Sequence, residues 1–118
     1  MAIFKSGDIA YADLPSTKDQ QTHEQSGLRP VVIVQDEDAY STLPTIVIIP
    51  FTKQSGTLRF PLTFLVKPSS INGLKMESVL LPFQILTIDR RRLTTKIGIL
   101  EPKYFALLQK HIKTLMKL

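Results

Sequence analysis

The chain breaks into short apolar runs separated by turn residues. Residues 8–13 (DIAYAD) alternate weakly between apolar and polar positions, the period of a half-buried strand. Residues 31–34 (VVIV) and 45–51 (TIVIIPF) are continuous apolar runs rich in β-branched side chains. Such runs predict strands buried on both faces. Further strands are predicted over 58–66, 78–81, 84–88 and 96–100, with Pro82 separating the second from the third. Turn residues punctuate the runs at Gly7, Gly27, Gly56 and Asn72-Gly73. Several short strands with turn signals predict a small barrel or sandwich.

The last stretch has a different period. In EPKYFALLQKHIKTLMKL, Tyr104, Phe105, Leu108, Ile112, Leu115 and Met116 recur at helical spacing. Lys103, Lys110, Lys113 and Lys117 fall on the other side, and Pro102 suits a first helical turn. This predicts an amphipathic helix packed on the barrel with its lysines in water, in preference to a membrane-surface helix. The fold class is therefore mainly β with a C-terminal α-helix. All 118 residues form one domain (1–118), a length that buries a core without cross-links.

Composition narrows the setting. There is no cysteine, so neither disulfides nor a thiolate metal site can form. No apolar run approaches the ~20 residues that span a bilayer, and the start, MAIFKSGDIAY, makes a poor signal peptide. A soluble cytoplasmic protein with no membrane partner is expected. The net charge is +5, but it is unevenly placed. Residues 1–50 carry 3 Lys/Arg against 7 Asp/Glu, while residues 51–118 carry 12 against 3. A basic half suits either a polyanionic partner, nucleic acid first, or a plain solvated surface.

One connection stands out. Residues 15–28 (PSTKDQQTHEQSGL) are almost wholly polar, and loops that long in compact domains are often functional. Arg29 and Pro30 stand directly between this loop and the 31–34 strand. A guanidinium offers phosphate a rigid fork of donors; an ordinary pairing with Glu24 is the structural alternative. Thr52, where the 45–51 strand emerges before Lys53, could bond to turn backbone or touch a phosphate. His23, beside Glu24 and two positions from Gln25, could move protons near neutral pH or simply be solvated. His111 falls inside the helix as a surface or boundary residue. The HE pair at 23–24 is not HExxH, because position 27 is Gly, so no metal site is expected. GxGxxG, GxxxxGK[ST] and GxSxG are absent, and no cofactor is expected. The run Asp89-Arg90-Arg91-Arg92 reads as a solvated turn or a track for phosphates. Tyr40, Phe51, Phe60 and Phe83 are candidates for base stacking or for core.

The elements GDIAYADL, HEQSGLRPVVIV, TIVIIPFTK and SVLLPFQILTIDRRRL, in that order, resemble the MazF/PemK (Kid) family of toxins from type II toxin–antitoxin pairs, on the MazF branch. The resemblance implies a small SH3-like or CcdB-like barrel that forms homodimers. It implies an endoribonuclease that cuts single-stranded RNA, mostly mRNA, at a short motif without a metal. The ends left would be a 2′,3′-cyclic phosphate and a 5′-hydroxyl. It also implies a cognate antitoxin that blocks the RNA site, and operator DNA reached through the toxin–antitoxin complex.

The family's catalytic arginine in G-x-R-P matches Arg29, and its catalytic Ser/Thr matches Thr52. Its loop glutamate matches Glu24, a histidine found in PemK-like members matches His23, and the glutamine before T-I-D matches Gln84. Gln25 and Lys53 flank these positions as supporting or RNA-binding candidates. PemK-type members carry Arg-x-Asp just before that glutamine; here Leu81 and Phe83 stand there instead. Two rival readings accompany this one: a CcdB-like gyrase poison that cleaves nothing, and a silent nucleic-acid-binding barrel.

Overall fold

The computed structural model describes residues 4–15 and 27–118. Within them the chain forms seven strands: β1 (Asp8–Leu14), β2 (Gly27–Ile33), β3 (Thr45–Thr52), β4 (Phe64–Val66), β5 (Ser78–Leu80), β6 (Leu86–Asp89) and β7 (Leu93–Ile99). Two α-helices, α1 (Glu37–Tyr40) and α2 (Pro102–Met116), complete it with three short 3₁₀ turns. The strand order is β4-β5-β3-β2-β1-β7, with β6 also on β3, and every pairing is antiparallel. This is the mainly-β architecture with a C-terminal helix that the apolar pattern predicts.

The centre of the sheet is buried on both faces. Val32, Ile49 and Phe51 join Ile9, Leu80, Leu100 and Leu108 in one core cluster. Val31, Ile33, Ile46 and Ile48 join Ala12, Leu14 and Ile88 in another. Neighbouring residues of a strand point to opposite faces, so the two continuous runs of Ile and Val serve both clusters. Tyr104, Phe105 and Ile112 of α2 pack on the first cluster, whose member Leu108 is fully buried. Leu115 and Met116 share the helical period but stay exposed, at 40% and 51%.

Four boundaries differ from the pattern. First, β2 begins at Gly27, so Arg29 and Pro30 lie inside the strand rather than ahead of it, paired with Ala12 and Tyr11. Second, 58–66 is not one strand. Ser55–Arg59 is a 3₁₀ turn, Pro61 follows, Leu62 takes a left-handed φ of 68°, and only Phe64–Val66 is extended. Third, Gln84 ends a 3₁₀ turn, Pro82–Gln84, instead of starting a strand. The stretch from β5 to β6 runs along one edge of β3, but Thr52 faces Val79 and Ile48 faces Leu86. Four steps on β3 thus match seven on its partner, and the turn absorbs the three extra residues. Pro82, with its fixed φ and no N–H, starts that turn readily. Fourth, β7 begins at Leu93 rather than at 96.

Candidate functional site

A proline stands where the sheet opens. β2 and β3 pair at Ile33–Ile48, Val32–Ile49 and Val31–Pro50. Pro30 and Arg29 on β2, and Phe51 and Thr52 on β3, lie beyond the last of these pairs. Pro30 has no N–H to give the ladder, and the pairing stops at Val31–Pro50; the Pro50 carbonyl is turned to the other edge, where it accepts from the Leu81 N–H at 3.1 Å. Beyond it β3 pairs with β5 through Phe51–Leu80 and Thr52–Val79, while β2 keeps β1. The parted ends of β2 and β3 line a cavity of about 400 Å³, to which Arg29, Thr52 and Lys53 all contribute. The guanidinium and the hydroxyl singled out in the sequence therefore reach one cavity from 23 positions apart.

Their settings differ. Thr52 is buried, at 2% exposure, and its Oγ1 accepts a hydrogen bond from the Gln54 N–H at 3.3 Å. That bond uses a lone pair and leaves the hydroxyl proton uncommitted to it. Arg29 is half-buried on a strand whose partner Ala12 is fully buried, so its backbone is fixed by the core. Lys53 is exposed at the rim. Leu74, Lys75 and Met76 line the cavity as well, as does buried Ser78 at the start of β5. Among the described lining residues there are three cations, Arg29, Lys53 and Lys75, and no carboxylate. Clustered cationic side chains favour anions.

The loop bearing Lys75 is built around Asn72, which has no exposed surface. Its Oδ1 accepts from the N–H groups of Ser69 and Leu74, both at 3.0 Å. Its Nδ2 donates to the Lys67 carbonyl at 2.9 Å and to Glu101 Oε1 at 3.0 Å. Gly73 follows with a φ of 70°, and a Cβ there would lie 2.0 Å from the Ile97 carbonyl oxygen. The sequence marks Asn72-Gly73 as a turn but holds no signal that Lys75, two residues on, lines the same cavity as Arg29. That juxtaposition arises only because the turn backs onto β7.

Several sequence candidates fall elsewhere. His23, Glu24 and Gln25 lie outside the described residues. Gln84 is half-buried on the turn that packs against α2 and β3, and it is not among the described residues that line the cavity. Phe51 is 1% exposed and belongs to the core, which removes it as a stacking surface. Phe60 and Phe83 meet edge-to-face at 5.4 Å, and Tyr40 is exposed away from the cavity lining.

The basic run is committed internally. Arg90 forks onto buried Glu37 with both Nη atoms, Arg91 bonds Asp89 Oδ2 at 2.9 Å, and Arg92 Nη1 donates to the Asp13 carbonyl at 3.1 Å. The fork holds the Glu37 carboxyl below its ordinary range, and the Arg91 bonds draw Asp89 down to about 2. His111 is a boundary residue, with Nδ1 2.7 Å from the Leu62 carbonyl.

Comparison with known proteins adds an independent line. A family described as PemK-like, MazF-like toxin of type II toxin–antitoxin systems matches residues 5–116. "Endoribonuclease EndoA" of Bacillus subtilis is 36% identical over 95 residues, covering 80% of this chain and 78% of that protein. "Endoribonuclease MazF" of Staphylococcus saprophyticus is 33% identical over 101 residues, covering 86% and 81%. Among solved structures, MazF (Form-I) from Deinococcus radiodurans superposes with a TM-score of 0.78 at 17% identity over the whole of both chains. An endoribonuclease in complex with its cognate antitoxin, from a mycobacterial species, gives 0.73 at 18% identity, covering 100% of this chain and 97% of that one. At those identities the structural likeness establishes the fold alone.

Proposed function

The chain belongs to the PemK-like, MazF-like family of type II toxins, and from that premise we propose how its cavity works. The protein is an endoribonuclease. It cleaves single-stranded RNA, chiefly mRNA, in the cytoplasm, at a short sequence motif and with no metal in the chemical step. The observation that supports this reading is that Arg29 of β2 and Thr52 of β3 line one cavity, together with Lys53 and Lys75.

RNA brings its own nucleophile. The ribose 2′-oxygen bonds to the adjacent phosphorus, the P–O5′ bond breaks, and the electron pair leaves on O5′. The 2′-proton goes to a base and a proton arrives at O5′, so atoms balance without water. The products are a 2′,3′-cyclic phosphate and a 5′-hydroxyl. Arg29 stabilises the extra negative charge on the phosphorane, the task for which fixed donors are most effective, and can pass a proton to O5′. A guanidinium, which carries donors and no acceptor, makes a poor general base. Thr52 holds a non-bridging oxygen or the 2′-hydroxyl, and Lys53 attracts the backbone at the rim. Glu24 or His23 assists as base or by positioning, with Gln25 and Gln84 as further RNA contacts.

In this reading a homodimer, packed through apolar strand and helix surface, lines one basic groove with both copies. A cognate antitoxin covers the groove, and operator DNA is met only through that complex. The named assembly of a structural neighbour with its cognate antitoxin supports the antitoxin part.

The test is direct. The pure protein is incubated with a long single-stranded RNA in EDTA and the new 5′ ends are mapped. Cuts at a repeated short motif with 5′-hydroxyl ends are expected. Arg29→Ala should slow cutting on the order of 100–1,000-fold, the usual cost of one preorganised donor. Intact RNA beside arrested gyrase in a parallel assay would replace this reading with the CcdB-like one, and bound but uncut RNA with a silent binding barrel.

A further inference from the structure

We propose that Lys75 and Met76 form the subsite for the nucleotide next to the scissile phosphate, Lys75 gripping its backbone phosphate and Met76 supporting its base. The inference rests on the RNA-cutting reading and deepens it, because neither residue has a part in the chemical step above.

A subsite needs a rigid base, and the loop has one. Asn72 ties it at four atoms, two of them backbone N–H groups of its own loop. Ser69 Oγ bonds Glu101 Oε2 at 3.2 Å, and the Ile99 N–H donates to the Ile71 carbonyl at 2.9 Å. On the far side, Ser78 Oγ donates to the Met76 carbonyl at 3.1 Å. Leu74 is buried in the core at 8% exposure, which anchors the start of the lining segment. Two exposed side chains follow it into the cavity.

Their chemistry matches the two ends of one nucleotide. Lys75 is a cation on a flexible stem, and the described lining offers it no carboxylate. Met76 is 47% exposed beside it, an unbranched thioether that makes favourable contacts with aromatic rings. A nucleotide likewise offers a charged phosphate and a flat base that stacks on apolar surface. Arg29 and Thr52 line the cavity from β2 and β3, so a cation arriving on a different element serves the neighbouring phosphate rather than the reacting one.

The experiment compares wild type with Lys75→Gln, Lys75→Arg and Met76→Ala. Cut sites are mapped on a long RNA, and kcat and KM are measured on an oligonucleotide bearing the mapped motif at 50–200 mM salt. Lys75→Gln should raise KM while kcat stays within about two-fold. Losing one phosphate contact on a single strand should flatten the log–log salt slope by about 0.7, which is about 2.6-fold across that salt range. Lys75→Arg should restore both. Met76→Ala should leave the salt slope alone and change the preferred base at one position beside the cut.

The assignment is overturned by a Lys75→Gln enzyme with the wild-type KM and salt slope, by one that loses only kcat, or by a Met76→Ala enzyme with an unchanged cut-site distribution. If the wild type itself leaves RNA intact, the functional reading falls and takes this inference with it. If the wild type cuts and the variants match it, only the inference falls.

Discussion

Thr52 shows how little space a functional hydroxyl occupies here. It is 2% exposed and its one described hydrogen bond is accepted from a turn N–H, a structural job beside the chemical one we propose. The two separate by substitution. Thr52→Ser keeps the oxygen and should hold activity within about ten-fold. Thr52→Val keeps the shape, leaves the Gln54 N–H unpaired at a modest cost in stability, and should lose on the order of 100-fold in kcat. Rates and melting curves on the same samples check this. A valine variant as fast as wild type would remove the hydroxyl from the mechanism.

Gly73 is the opposite case, a residue whose missing side chain matters. Its φ of 70° and the 2.0 Å approach to the Ile97 oxygen leave no room for a Cβ. Gly73→Ala should therefore destabilise the fold by roughly 2 kcal/mol or more, measured by denaturant unfolding.

Among elements, the short helix α1 is tied to the turn between β6 and β7. Asp36 caps it, accepting from the N–H groups of Asp38 and Ala39 at 3.1 and 3.2 Å. Glu37, its first residue, is buried and paired with Arg90. Removing one partner of a buried pair strands the other's charge, so Arg90→Ala should cost about 3 kcal/mol. Arg91→Ala, with a side chain 90% exposed, should leave unfolding unchanged.

The same pair sets a pH dependence. Arg90 lowers the Glu37 pKa in the folded state below its ordinary 4.5. A depressed carboxylate stabilises the fold above its unfolded pKa, and that contribution fades as pH falls through the folded value. Melting temperature should drop below about pH 4.5, and Glu37→Gln should flatten that part of the curve. An equally steep acid limb in the variant would assign it elsewhere. The helix α2 works by plain burial: Leu108 is fully buried, and Leu108→Ala should cost ~2–5 kcal/mol.

At the scale of the molecule, the two faces of the sheet have separate cores, and the cavity sits where the ladder between β2 and β3 ends. The homodimer of the functional reading belongs to this scale. Sedimentation at micromolar concentration should give twice the mass of the 118-residue chain; a monomer there would leave each cavity to act alone and contradict the shared groove.

The sequence determined the strand-rich body, the helix α2 and the chemical types of the site. Those follow from local periods: β-branched runs in 31–34 and 45–51, a helical repeat from Tyr104 to Met116 and a guanidinium beside a proline. What it could not determine was partnership. That Arg29 and Thr52 line one cavity depends on which strand pairs with which and where the pairing ends, a property of segments 23 residues apart. That Lys75 shares their cavity depends on Gly73 backing onto β7, and that Arg90 seeks Glu37 instead of a phosphate depends on α1. Local patterning specifies how each segment folds because its causes lie within a turn or two of chain. Which charges pair with one another, and which line a cavity together, is decided by packing between segments distant in sequence.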